Sequence, residues 1–190
     1  MICGGWRSFV TLHFYQLLIS VYFIRTNMNI MKLIAAFASM VLTAGMIWAQ
    51  DLPDVSVENM DGETVSIRDV VRGKPAVISF WGVTCKPCIT ELNALNEVME
   101  EWLEDVDFDI IAVSVDDSRF SSRARSMAQG YDWQFKCVFD KNQDLKRAMN
   151  VSLTPQTFIV DASGNIVYSH SGYTPGSEYE LYDKLMEISE

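Results

Sequence analysis

The chain has 190 residues, 49% of them hydrophobic, and carries 25 acidic against 15 basic side chains for a net charge of −10. That length suits one domain of ordinary size with a core it can bury. The acidic balance argues against nucleic acid and anionic lipid headgroups as main partners.

The charge is unevenly spread. Residues 1–50 hold no Asp or Glu, only Arg7, Arg25 and Lys32, whereas all 25 acids and 12 basic residues lie from Asp51 onward, a local net charge of −13. Residues 9–24 form an apolar stretch, shorter than the roughly 20 residues that a spanning helix prefers. Met31-Lys32 then leads into a second apolar run, 33–49. A short basic start followed by an apolar run is the pattern of a secretory signal peptide. Ala49 fits as the last residue before cleavage, although Ile47 is an uncommon residue at −3. Translation from Met28 or Met31 is favoured over a membrane hairpin made of the two apolar segments. The expected organisation is an upstream segment 1–30, a signal peptide 31–49 and one domain 50–190, located outside the cytoplasm and either released or membrane-anchored. No internal repeat or low-complexity linker interrupts the domain.

Within it, Met60-Asp61-Gly62-Glu63 sits between the alternating Val55, Val57 and Val65, Ile67, which predicts a hairpin over 54–68. Arg72-Gly73-Lys74-Pro75 is a turn, and 76–80 a buried strand. Ile89, Leu92, Leu95, Met99, Trp102 and Leu103 recur at helical spacing, so a helix of about four turns packs one face on a sheet. The β-branched run 109–115 reads as a strand covered on both faces. A polar helix over 118–130, a strand over 136–139, a short helix over 143–149 and a strand over 156–160 follow. The turn 161–165 leads to a strand over 166–169 that pairs back antiparallel. A closing helix spans 177–188, with Tyr179, Tyr182, Leu185 and Met186 on or near one face. Strands alternating with helices predict an α/β domain with a largely parallel sheet, made mixed by the final hairpin.

Cys85-Lys86-Pro87-Cys88 lies where the buried strand meets the long helix. Two thiols at i and i+3 on one helical turn can close a small disulfide. The unpaired N–H groups at a helix start favour a thiolate. The pair therefore points to thiol–disulfide exchange. Structural zinc needs four ligands, and this motif offers two. Cys3 and Cys137 are isolated, and His13 and His170 form no spaced pair, so no metal site is expected.

The segment Phe80-Trp81-Gly82-Val83-Thr84-Cys85-Lys86-Pro87-Cys88, the later Thr154-Pro155 before a strand, the tail from Gly164 to Thr174 and the opening Asp51 to Asp54 with Asp61-Gly62 together resemble the thioredoxin fold. More narrowly, they resemble its exported TlpA/ResA group, over roughly residues 52–188. The resemblance implies a thioredoxin-like α/β fold, a central mixed sheet flanked by helices with an N-terminal hairpin extension. It implies that Cys85 is the attacking thiolate and Cys88 the buried resolving thiol. Pro155 would be a cis-proline, with Thr154 offering backbone to a substrate strand. Resolution needs a proton acceptor for Cys88. Thioredoxin keeps an Asp six positions before its first cysteine, where this chain has Ser79; the TlpA/ResA group often has a Glu three positions after the second, here Glu91. Glu91 lies one helical turn beyond Cys88, so the side chains share a face.

Trp81, Thr84, Lys86 and Pro87 join Thr154 and Pro155 as candidates for the substrate-binding surface. Thr84 stands where the group often has Trp, which removes a flat apolar docking surface. Lys86 favours a thiolate at Cys85, modestly because water screens an exposed charge. Cys137 reads as a buried core cysteine, and His170 as structural or solvated. The expected protein is an exported, monomeric protein-disulfide reductase. It carries no cofactor beyond the Cys85–Cys88 disulfide and is recharged by a membrane dithiol donor. An apocytochrome c haem-attachment motif is one substrate the resemblance suggests. Two alternatives use the same fold. A peroxiredoxin-like peroxidase would need a Thr three residues before Cys85, where this chain has Gly82; a copper-binding chaperone would need a wider cysteine spacing and a nearby His.

Overall fold

The apolar run at 76–81 becomes the centre of a sheet because every one of its residues is buried. The computed structural model describes residues 50–189; the expected upstream segment and signal peptide lie outside the described residues. In chain order the elements are β1 (Gln50–Asp51), β2 (Ser56–Glu58), β3 (Thr64–Ser66), α1 (Ile67–Val71), β4 (Ala76–Trp81), α2 (Lys86–Trp102), β5 (Asp109–Ser114), α3 (Ser121–Gly130), β6 (Lys136–Phe139), α4 (Asp144–Ala148), β7 (Gln156–Val160), β8 (Asn165–Ser171) and α5 (Glu178–Ser189). Among the described residues the strands form one sheet in the order β1-β8-β7-β4-β5-β6-β2-β3.

Only β4–β5 and β5–β6 pair in parallel; β7 runs antiparallel to β4, and β8, β1, β2 and β3 also join antiparallel. The sheet is mixed, as expected, but not largely parallel. The helices explain the difference. A parallel crossover must carry the chain back along the sheet. The 17-residue α2 spans about 25 Å at 1.5 Å per residue, enough to return along a six-residue strand of about 20 Å. The five-residue α4 spans only about 7.5 Å. The chain therefore enters β7 in the opposite sense.

Alternation along β4 divides the core. Ala76, Ile78 and Phe80 join Ile67 and Val71 of α1 and Leu145 of α4 on one face. Val77 and Trp81 face the other side, where Leu92 and Leu95 of α2, Ala124 and Ala128 of α3, and Leu181 and Leu185 of α5 pack. Ser79 lies between Val77 and Trp81 and so points to the α2 face. The expected face of α5 is corrected: Leu181 and Leu185 are fully buried, while Tyr179 is 55% exposed and only flanks Trp102, with ring centroids 6.4 Å apart.

Helix α1 replaces the end of the predicted hairpin strand. Ser66 caps it by accepting a hydrogen bond from the Arg68 amide, and Ile67 and Val71, one helical turn apart, are both buried. The hairpin itself forms, with Val57 opposite Val65. Arg125 of α3 fastens it to the domain. Its guanidinium donates to the carbonyls of Asn59 and Met60, lies 3.4 Å from a Glu58 carboxylate oxygen and stacks 4.3 Å over the Phe139 ring.

Leu95 is fully buried between α2 and the sheet. Leu95→Ala is expected to lower stability by about 3 kcal/mol through lost transfer energy and the cavity left behind. Urea unfolding checks this: the midpoint falls while the denaturant slope stays constant.

Candidate active site

The loop from β4 into α2 delivers the two cysteines. Trp81 ends β4, and the Cys85 amide donates to the Gly82 carbonyl at 2.9 Å, closing the turn. Asp116, just beyond β5, holds this loop: its carboxylate accepts from the Val83 amide at 3.0 Å and from the Ser114 hydroxyl at 3.0 Å. Cys85 then occupies the N-cap of α2 in extended backbone conformation, and no side chain caps the helix there. No acid lies in the first turn of α2. The helix therefore presents open N–H groups to Cys85, an arrangement that favours negative charge on its sulfur.

Cys85 and Cys88 form a disulfide with Cα atoms 5.3 Å apart, within the ordinary range for such bonds. Their environments differ. Cys85 is half-buried, flanked by exposed Thr84, Lys86 and Pro87, while Cys88 is fully buried. One sulfur can be reached from outside and the other cannot.

The second motif meets the first through strand register. Pro155, in a cis peptide with Thr154, immediately precedes β7, whose Gln156 lies opposite Phe80. Both motifs therefore sit at the same end of the sheet. Thr154 is half-buried, Pro155 buried and Leu153 71% exposed.

Trp81 corrects an expectation. It is fully buried, packed edge-to-face on Trp133 with centroids 5.2 Å apart, so it does not join the surface offered to a partner. Trp133 stacks in turn between Tyr131 and Phe135 and donates to Asn93 at 2.8 Å. This aromatic wall supports the cysteine loop from behind.

Glu91 is only 1% exposed. A buried carboxylate must be hydrogen-bonded or paired. Ser79 donates to its Oε2 at 3.0 Å and Thr157 to its Oε1 at 2.8 Å. His170 is neither solvated nor remote: its Nε2 lies 3.4 Å from the same Oε1. Thr157 and His170 were not singled out as site residues from the sequence. The available signal was the register of β4, β7 and β8, which alternation alone does not supply. Cys137 lies on β6, buried as expected, and burial pushes its thiol up to about 12.

This geometry has counterparts in known proteins. Residues 48–169 match the AhpC/TSA family. The chain belongs to that family. It is 31% identical over 137 residues to the thioredoxin-like protein YneN of Bacillus subtilis, covering 72% of this chain and 78% of that one. It is 26% identical over 135 residues to the thiol-disulfide oxidoreductase ResA of Bacillus cereus, covering 71% and 76%. A thioredoxin-like protein from Porphyromonas gingivalis, solved in solution, superposes with a TM-score of 0.66 at 45% identity, covering 75% of this chain and 93% of that one. The thioredoxin-like fold and the membership among ResA-like thiol–disulfide oxidoreductases stand on these likenesses and on the Cys85–Cys88 pair.

The Cys137 thiol, raised to about 12, stays protonated at pH 8, and the thiolate is the reactive form. Brief alkylation of the reduced protein at pH 8, followed by peptide mapping, is expected to label Cys85 and leave Cys137 unlabelled until the protein is denatured.

Proposed function

We propose that this protein is an exported reductase of protein disulfides. The observation that carries this reading is the asymmetry of the pair: Cys85 is half-buried at an uncapped helix N-terminus, and Cys88 is sealed beneath it.

In the proposed reaction the Cys85 thiolate attacks one sulfur of a partner disulfide, and the other sulfur leaves as a thiolate. The mixed disulfide brings Cys88 into play. Glu91 accepts the Cys88 proton, and the Cys88 thiolate attacks Cys85. The partner's second sulfur leaves, and two electrons have passed from the pair to the partner. The disulfide itself is the only redox carrier the reaction needs. Thr154 and Pro155 offer backbone just before β7 to an incoming extended segment. Thr84, Lys86 and Pro87 form the exposed rim of the site.

The N-terminal basic and apolar pattern supports export of the domain 50–190. A membrane dithiol donor would recharge the oxidised pair. The relative named ResA supports a disulfide in a protein as substrate, and an apocytochrome c haem-attachment motif is the narrower candidate. A monomer suffices, because one chain supplies every group the reaction uses.

The reduction potential of the Cys85–Cys88 pair tests the direction. A value near about −250 mV or lower is expected for a reductase, and one nearer about −120 mV would make the protein an oxidant. A second prediction separates the roles. Cys88→Ser is expected to accumulate the mixed disulfide. Glu91→Gln is expected to form it at the normal rate but to resolve it about 100-fold more slowly, the range of general-base catalysis. Equal resolution rates in Glu91→Gln and the unaltered protein would remove Glu91 from the mechanism.

A further inference from the structure

Three strands place three polar side chains in one row beneath α2. Ser79 on β4 lies opposite Thr157 on β7, and Thr157 lies opposite His170 on β8. Directly opposed residues point to the same face of a sheet. Glu91 descends onto this row, and the hydroxyls of Ser79 and Thr157 both donate hydrogen bonds to it.

His170 is the member of the row with no settled partner. Its Nε2 faces Glu91 Oε1 at 3.4 Å, but neither imidazole nitrogen makes a hydrogen bond among the described residues, and both are shut off from solvent. A buried polar atom left unpaired costs about 1–3 kcal/mol, so an imidazole held this way against a carboxylate calls for a reason. The side chain as a whole is 17% exposed, whereas that of Glu91 is 1% exposed. Both side chains are thus largely removed from water.

The other groups around it are acids or phenols. Tyr168, on the same face of β8, has its ring centroid 5.8 Å from the imidazole, and burial, with Glu180 of α5 adding to it, pushes its hydroxyl up to about 12. Tyr173, after β8, donates to Glu178 of α5 at 2.9 Å. Burial pushes the Tyr173 hydroxyl up to about 12, with Glu178 and then Glu91 adding to the effect. From β4 and β7 only the hydroxyls of Ser79 and Thr157 reach Glu91. Among the described residues the ion pairs formed by Lys and Arg involve neither Glu91 nor Glu178. Among the described residues the imidazole is therefore the basic group that faces Glu91.

We propose that His170 is a positioning residue for Glu91 that shares the proton taken from Cys88 during resolution. This rests on the role of Glu91 given above. The Cys88 S–H bond breaks, and its proton goes to Glu91. The freed thiolate attacks Cys85, and the substrate sulfur leaves with the electron pair of the mixed disulfide. The proton passes from Glu91 to Nε2 of neutral His170, leaving a carboxylate beside an imidazolium. The proton returns to Cys88 when the pair is next reduced and Cys88 leaves as a thiolate, which restores the starting state. Without His170 the proton stays on the Glu91 carboxyl group.

Because the Cys3 thiol would also release coloured thiolate, the Cys3→Ser full chain is reduced and treated with dithiobis(nitrobenzoate). The reagent releases one coloured thiolate when Cys85 attacks and a second when Cys88 resolves, so the two steps are read separately. In the unaltered protein the resolution rate is expected to carry a pH limb that depends on His170. His170→Gln keeps an N–H donor but cannot take up a proton. It is expected to leave attack by Cys85 unchanged, slow resolution about tenfold near pH 7 and abolish that pH limb. Glu91→Gln and Glu91→Gln/His170→Gln are expected to resolve at the same rate, because the imidazole acts through the carboxylate. The proposal is overturned if His170→Gln keeps the pH limb, if it slows attack and resolution alike, or if the double variant is slower than Glu91→Gln. If the unaltered protein releases no second thiolate, the reductase reading itself fails, whatever His170 does.

Discussion

Burying one carboxylate under α2 organises this molecule. Glu91 shares the inner face of its helix with Cys88, Leu92 and Leu95. Three of these need an apolar surface beneath them, and the fourth needs donors. Removing an ionised carboxylate from water costs several kcal/mol unless nearby groups replace the lost hydration. The sheet supplies these groups at one level only, through Ser79 and Thr157. Above and below this level, Trp81 and Val77 keep the surface apolar. The register of β4 against β7 is thus fixed by chemistry as well as by hydrophobic fit. A one-residue slip would carry Thr157 to the opposite face and strand the carboxylate.

The site also divides charge in an unusual way for so acidic a chain. Acids dominate the domain, yet none lies in the first turn of α2, and Lys86 stands there instead. A side-chain oxygen at the N-cap is the common means of satisfying open helix N–H groups. Here the N-cap is Cys85, and its sulfur is tied into the disulfide. When the disulfide opens, a thiolate at that position meets unpaired N–H groups and the positive end of the helix dipole. The missing cap is a stability cost in the oxidised state that becomes a stabilising contact in the reduced one.

Much of this was legible in the chain. The strand at 76–81, the long helix, the strand at 109–114 and the turn after β7 follow from apolar runs, helical spacing and turn residues, all local signals. Strand direction was not, because it depends on how far the five-residue α4 can carry the chain. Helix α1 was hidden because Ile67 also fits the alternation of the preceding strand; the cap at Ser66 decides between them. The cysteine pair was visible as a local pattern, and the Thr-Pro motif and Glu91 were singled out only through the family resemblance. Trp81 was misplaced because an aromatic residue beside a site looks the same in sequence whether it faces the partner or the core. His170 was missed for a different reason. Its contact with Glu91 passes through two strand pairings, and no window of sequence contains both.

The position of the acid explains that last contact. In thioredoxin the acid stands on the strand, at the place Ser79 occupies here. In this chain the strand keeps only a hydroxyl, and the carboxylate descends from α2. A strand-borne acid would be held by the backbone of the sheet. A helix-borne acid reaches down with a longer side chain and must be anchored from below. Ser79 holds one oxygen, and the other faces Thr157 and His170 on the next two strands. Placing the carboxylate on the helix thus draws in a row of side chains across three strands. It also brings β8 up against the carboxylate, through His170.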